Sequence, residues 1–302
     1  MAESSVDWKT LTLQKILIMC LGDAANLLSI APAFQALKQA FPQSSFTLLT
    51  TPHYRVLSTL FPFTETLLYP FLAPQPQLTP ATIRHFINFL HAKKFQIACF
   101  FTADGESPYF LAYLCYLAGI PIRWGESQEF GGNLLSPWIK LPPVPLSDTQ
   151  RHLFMLRTLE LCSIEPSFSP IDLAPWQEQR STLLKEFAGT LDCPFLLLDP
   201  LTISLKPQTL ALQTGYPILS LGTNRHRPQW VTPHKASMPL PSNLTTFPKL
   251  ALLIQQTAGI FSADSELIRL ANLFNRPLMD FPPQPHPTLE FLPENLNHHR
   301  ST

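Results

Sequence analysis

Short, unbroken apolar runs alternate with longer stretches whose apolar residues recur at helical spacing. No other feature constrains the chain as much. ILIMC at 16–20, SFTLLT at 45–50, ETLLYP at 65–70, FQIACFF at 95–101 and IPIRWG at 120–125 each have the length of a strand. Runs without polar alternation suit strands covered on both faces, as in a parallel sheet. Between the first two runs, Leu27, Ile30, Ala31, Phe34, Leu37 and Phe41 share a helical face, and Pro32 predicts a kink or a late start there. A short helix is expected at 54–61. Thr79-Pro80 reads as the N-cap and first residue of a helix running to about His91. The stretch 107–119 ends on a glycine suited to a helix C-terminus, and Ser147 opens an amphipathic helix over 147–162.

The second half repeats this logic in shorter form. Strands are expected at 193–200, 216–222 and 258–263, with one more in RPLMDF at 276–281. Helices are expected near 176–189, 206–213, 247–257 and 264–275. The Pro/Ser-rich stretch 163–175 is the candidate linker, giving domains of 1–165 and 166–302. A chain of 302 residues accommodates two such units. The expected class is α/β, with two Rossmann-like domains whose parallel sheets face a cleft at the carboxyl ends of their strands, where ligands bind in this class.

Composition removes several function classes. Lys+Arg and Asp+Glu are equal at 21 each, so no basic surplus points to nucleic acid. The five cysteines form no CxxC pair and no zinc-type cluster, and they read as buried small hydrophobes in a reducing compartment. The N-terminus lacks the features of a secretory signal, and no apolar run reaches bilayer length, so a cytoplasmic protein is expected. Neither GxGxxG nor GxxxxGK[ST] occurs, which removes the main support for a dinucleotide oxidoreductase or a P-loop NTPase.

The loop after the first strand, LGDAAN, holds one glycine, Gly22, and two short polar residues, Asp23 and Asn26. Asn26 suits the N-cap of a helix starting at Leu27, and Asp23 is a loop carboxylate in reach of a cleft. In FFTADGESPYF, Asp104 and Glu106 face the same side, and Ser107 with Pro108 can cap the next helix. In the second half, Asp264 and Ser265 open a helix whose backbone N–H groups can meet a phosphate, with Glu266 in its first turn and Arg269 one turn on. Lys206 follows the strand at 193–200, and Arg225, His226 and Arg227 form the densest basic cluster of this half.

Three segments in order, LGDAANLLSIAPAFQALKQAFP (21–42), LAGIPIRWG (117–125) with DTQRHLFMLRTLEL (148–161), and LALLIQQTAGIFSADSELIRLANLFNRP (250–277), make the chain resemble glycosyltransferase family 9, the heptosyltransferase-like sugar transferases. The resemblance implies a GT-B arrangement, with an N-terminal acceptor domain and a C-terminal domain for a nucleotide-activated sugar. It implies inverting transfer to a saccharide or lipid-linked acceptor, with no metal and no cofactor beyond the nucleotide-sugar co-substrate. It also places the work in the cytoplasm or at the inner face of a membrane. On this resemblance the family's catalytic Asp falls on Asn26, which leaves Asp23 as the substitute base. Donor contacts fall on Lys206, Arg225, Arg227, Asp264, Ser265 and Arg269, and acceptor contacts on Asp104 and Glu106. The chain departs from the family at Ala25, Asn26, Leu201 and Glu266, so the alternative is a fold that binds a nucleotide, a sugar or a protein partner without turnover.

Overall fold

The computed structural model describes residues 14–71, 79–162, 193–200, 206–221, 229–233, 235–239 and 247–279, the 235–239 segment as backbone. The first half holds a six-stranded sheet of β1 (Lys15–Met19), β2 (Ser45–Thr50), β3 (Glu65–Leu68), β4 (Ile97–Phe100), β5 (Ile122–Ser127) and β6 (Trp138–Lys140), in the order β3-β2-β1-β4-β5-β6. Every pairing in it is parallel. Its helices are α1 (Ala24–Ser29), α2 (Ala31–Ala40), α3 (Pro80–Lys93), α4 (Tyr109–Leu117) and α5 (Asp148–Thr158).

Alternation along β1 builds two cores. Ile16 and Ile18 join one buried cluster with α1, α2 and α5, whereas Leu17 and Met19 join another with α3 and α4. Both faces of the sheet are therefore covered, and β1 is apolar without interruption for that reason. The expected helix from Leu27 is two helices, broken at Ile30 so that Pro32 sits in the first turn of α2. The first of them starts at Ala24, earlier than Asn26 could cap. Asp23 is the N-cap, and its carboxylate accepts the Asn26 N–H. The segment expected as a helix at 54–61 is a 3₁₀ stretch from Pro52 to Leu60. Ser147 caps α5 in a reciprocal capping box with Gln150. At the start of α4 the cap position is Pro108, with the Ser107 hydroxyl accepting the Tyr109 N–H.

The second half holds β7 (Leu196–Leu198), β8 (Ile218–Ser220), β9 (Gln229–Thr232), β10 (Lys235–Pro239) and β11 (Gly259–Phe261), in the order β10-β9-β8-β7-β11. Its helices are α6 (Pro207–Thr214), α7 (Phe247–Gln256) and α8 (Ser265–Leu273). The sheet is parallel through β8, β7 and β11, but β9 and β10 join antiparallel at one edge. These two strands and β6 lack long apolar runs, and the sequence pattern did not anticipate them. RPLMDF contributes a single bridge, Ile260 to Leu278. The expected helix at 176–189, the linker at 163–175 and the boundary at 165/166 lie outside the described residues.

The two halves share a core. The cluster under α1, α2 and α5 continues through Phe195, Leu197, Leu219, Trp230, Leu250 and Leu267 of the second half. Helix α1 packs on α8, which sets the end of β1 opposite the end of β11. Cys20, Cys99 and Cys115 are buried as expected, whereas Cys193 is exposed. Among the described residues no helix is long and apolar enough to cross a membrane.

Candidate functional site at the facing strand ends

The loop after β1 is shaped around Asn26. A Cβ on Gly22 would come within 2.7 Å of the Asn26 Oδ1, so the loop's one glycine makes room for this amide. Asn26 is fully buried. Its Oδ1 accepts from the Cys20 thiol at 2.9 Å, and its Nδ2 donates to Asp148 Oδ2 at 3.4 Å. Asp23 behaves differently. It is exposed at the mouth of the loop, with Oδ1 2.7 Å from the Asn26 backbone nitrogen.

Asp148 is the hub beneath this loop. It opens α5, where the helix dipole favours a carboxylate, and it is buried. Arg269 on α8 donates from Nη1 to Asp148 Oδ2 at 3.0 Å, a charged hydrogen bond from the second half to the first. Arg151, one turn along α5, lies 3.6 Å from Asp148, 3.3 Å from Asp104 and 2.8 Å from Glu126 Oε1. Glu126 stands at the end of β5 and is buried. Burial pushes its carboxyl up to about 7; Arg151 opposes the rise, and Asp148 and Asp104 add to it. His152 is fully buried with its ring edge-on to Phe101, and among the described residues neither ring nitrogen has a hydrogen-bond partner. Burial lowers its pKa to about 3, so the ring is neutral at ordinary pH.

Tyr54 lies at the mouth. Burial raises its phenol pKa first, the Asp23 and Glu266 carboxylates raise it further, and a backbone hydrogen bond at Ala24 opposes them. Carboxylates of both halves therefore reach the same phenol. Asp104 is exposed; it pairs with Arg151, and its charge also reaches Glu126. Glu106 is exposed, accepts the Ala103 N–H at 3.1 Å, and its charge reaches the Cys20 thiol.

In the second half, Asp264 caps α8 by accepting the Leu267 N–H at 3.0 Å. Its own N–H donates to the Ser262 hydroxyl, which donates in turn to the buried Asp199 after β7. Ser265 is the first residue of α8. Lys206 is exposed at the N-terminus of α6. Arg225 and Arg227 lie outside the described residues. The structure thus gathers Asn26, Arg269 and Asp104 around Asp148 and Arg151, and sets Asp23 near Tyr54 and Glu266. Lys206 makes no described contact with this group.

Two sheets with helices packed about them, and strand ends meeting at α1 and α8, can be compared with known proteins. A family 9 glycosyl transferase from Veillonella parvula superimposes with a TM-score of 0.66 at 13% identity, over 89% of this chain and 81% of that one. The fold is that of the family 9 glycosyltransferases. E. coli ADP-heptose LPS heptosyltransferase II is similar at a TM-score of 0.61 and 16% identity, over 88% of this chain and 83% of its own. E. coli heptosyltransferase WaaC with ADP-2-deoxy-2-fluoro heptose follows at 0.55 and 12%, over 88% and 87%. No family model matches the sequence, and no curated protein does. The likeness is therefore one of fold, at identities of 12 to 16%.

Arg123 gives its guanidinium to the carbonyls of Ile120, Pro121, Asn133 and Leu134, so it pins the loop that follows β5. Asp148, Arg151, His152 and Glu126 were missed as site residues. A signal existed for three of them. Asp148, Arg151 and His152 fall on the stripe that continues through Met155, Leu156 and Leu159, so polar groups occupy core positions of an amphipathic helix. Glu126 carries no comparable mark, because strand ends are ordinary places for a carboxylate.

Proposed function

We propose that the chain is a divergent, metal-independent glycosyltransferase of the GT-B type. It transfers a sugar, with inversion, from a nucleotide-activated donor to a saccharide or lipid-linked acceptor. Asp23 carries this reading: it is an exposed carboxylate at the end of β1, placed with Tyr54 where the second half contributes Glu266. In the proposed step the acceptor hydroxyl gives its proton to Asp23 as its oxygen bonds to the anomeric carbon. The bond from that carbon to the diphosphate breaks, and the diphosphate leaves with the electron pair. The N-terminus of α8 at Asp264 and Ser265, together with Lys206, Arg225 and Arg227, would meet the leaving charge. Arg269, held through Nη1 by Asp148 and partly exposed, would meet the donor from α8. Asp104 and Glu106 would meet acceptor hydroxyls. The reaction belongs in the cytoplasm or at the inner face of a membrane, where nucleotide sugars and lipid-linked acceptors meet.

A second reading has its own observation. Asn26, at the position the resemblance gives to the base, is sealed from solvent and held by Cys20 and Asp148. A fold that binds a nucleotide or sugar without turnover would look the same at this loop. A panel of nucleoside diphosphate sugars separates the two readings, with thermal shift reporting binding and diphosphate release reporting turnover. Transfer requires release by the wild type, with Asp23→Asn reducing it at least about 100-fold while the thermal shift is kept. Binding without release establishes the second reading, and neither binding nor release overturns both.

A further inference from the structure

Helix α4 carries no charged residue in YFLAYLCYL, yet one side of it is bare. Ala112, Leu114 and Cys115 are buried, and the opposite arc shows Phe110, Tyr113, Tyr116 and Leu117 at 45, 48, 55 and 45% exposure. Positions 110, 113 and 117 follow helical spacing, so these side chains form a ridge along the helix. The ridge continues onto the loop after β5, where Phe130 is 66% exposed. That loop is clamped to the first residue of α4. The Tyr109 hydroxyl donates to the Glu129 carbonyl and accepts the Gly131 N–H at 2.8 Å, and the Tyr109 ring fills the space where a Gly131 Cβ would stand. The Phe130 ring rests 5.2 Å from that of Trp138. A row of fixed, exposed aromatic side chains has the composition of the centre of a protein interface.

The charges at the two ends of the ridge differ in sign. Glu106 and Glu129 are exposed at the start of α4. At its end, His91 Nδ1 lies 3.0 Å from the Ala118 carbonyl, and Lys94 Nζ lies 3.2 Å from His91 Nε2. Lys94 is exposed there, whereas Lys93 pairs with Glu65 and Arg123 is buried on backbone carbonyls. A row that is acidic at one end, apolar along its length and basic at the other complements itself when reversed. A twofold axis near Tyr113 would reverse it, bringing Phe110 of one copy to Leu117 of the other and Lys94 of each to Glu129 of the other. A surface of one charge sign would instead be repelled at one end. At about 200 Å² for an aromatic side chain, the exposed parts of these residues come to about 500 Å², so two copies would remove about 1,000 Å² from water, the lower bound for a specific interface. Helices α3 and α4 cover the face of the first sheet opposite α1 and α5, so such pairing leaves the facing strand ends open.

We propose that the chain pairs with a second copy of itself through α4, antiparallel about a twofold axis near Tyr113, with the aromatic ridge buried and Lys94 of each copy beside Glu129 of the other. This goes beyond the transferase reading, and it is tested without any sugar donor. Sedimentation of the full chain over a range of concentrations should show a monomer–dimer equilibrium. Tyr113→Ser/Leu117→Ser should weaken pairing at least about 10-fold. Lys94→Glu and Glu129→Lys should each weaken it at least about threefold, because each sets like charges together, and the two combined should restore it to within about a factor of two of the wild type. Melting temperatures verify that each variant folds. If the apolar variant melts early, the charge exchange decides, because Lys94 and Glu129 are exposed. A monomer at every concentration overturns the proposal and leaves the face to a different partner. Equal pairing by the wild type and the folded variants also overturns it, as does a combined variant no stronger than the single ones, because either result places the contact elsewhere.

Discussion

The two loops that meet between the halves are built alike and used differently. After β1, Asp23 caps α1 by accepting the N–H of the residue three positions on; after β11, Asp264 does the same for α8. In the first loop that third residue is Asn26, and in the second it is Leu267, both buried. Leu267 joins the shared apolar core. Asn26 carries an amide into the same depth and needs partners there, which Cys20 and Asp148 supply. The cap is thus local and transferable. What distinguishes the loops is the inward residue behind the cap, and in the first loop it draws in a charged network that reaches across to Arg269.

The largest expected effect sharpens this contrast by pH. Glu126 binds its proton more tightly in the folded state, its carboxyl rising from 4.5 to about 7, so stability falls as pH climbs through that window. His152, lowered from 6.5 to about 3, acts oppositely, and stability rises as pH climbs between those values. The two slopes cancel where they overlap, between 4.5 and 6.5. Glu126→Gln removes one of them. Its unfolding free energy should then rise by about 1.4 kcal/mol per pH unit across the overlap, where the wild type is nearly flat. Urea unfolding at several pH values measures this, and parallel curves for the two proteins would show that no opposing pair exists.

A smaller effect is expected from Asn26→Asp, which restores the residue the resemblance calls for. The new carboxylate would be buried beside Asp148. The variant should lose about 2 kcal/mol at pH 8 and recover part of this on acidification, read from thermal melts. Unchanged stability would mean that the loop still tolerates an acid, and the contrast with Leu267 would lose its force.

The sequence pattern reached the fold through its apolar runs. Strands β1, β2, β4, β5, β7, β8 and β11 are visible because both faces of each are covered, and burial on both faces removes polar alternation; β3, at the sheet edge with Glu65 and Leu68 exposed, shows only through the apolar run of Leu67 to Tyr69. Strands β6, β9 and β10 escaped because they lie toward the sheet edges, where an unbroken apolar run is not needed; WIK and QWVT are short and mixed. At the site, Asp23, Asn26, Asp264 and Arg269 stood out because a strand-to-helix loop concentrates polar residues. Their partners did not. The bond from Arg269 to Asp148 joins residues 121 apart in the chain, and only packing of α1 on α8 brings them together. The apolar period starts at Leu27 and so points to Asn26 as the cap, whereas the helix itself begins with the two alanines before Asn26.

The smallest effects should be the most alike. Asp23→Ala and Asp264→Ala each remove one cap, and each should lower stability by about 1 kcal/mol in chemical denaturation. A much larger loss for Asp23 alone would show that its carboxylate supports more than α1.

The most direct measurement is a double-mutant cycle on Asp148→Ala and Arg269→Ala, read by urea unfolding of the full chain. If the buried network ties the two loops together, the pair should show a coupling of about 1–2 kcal/mol, the upper part of the range being tempered by the partial exposure of Arg269. A coupling indistinguishable from zero would contradict the claim that this bridge joins the halves.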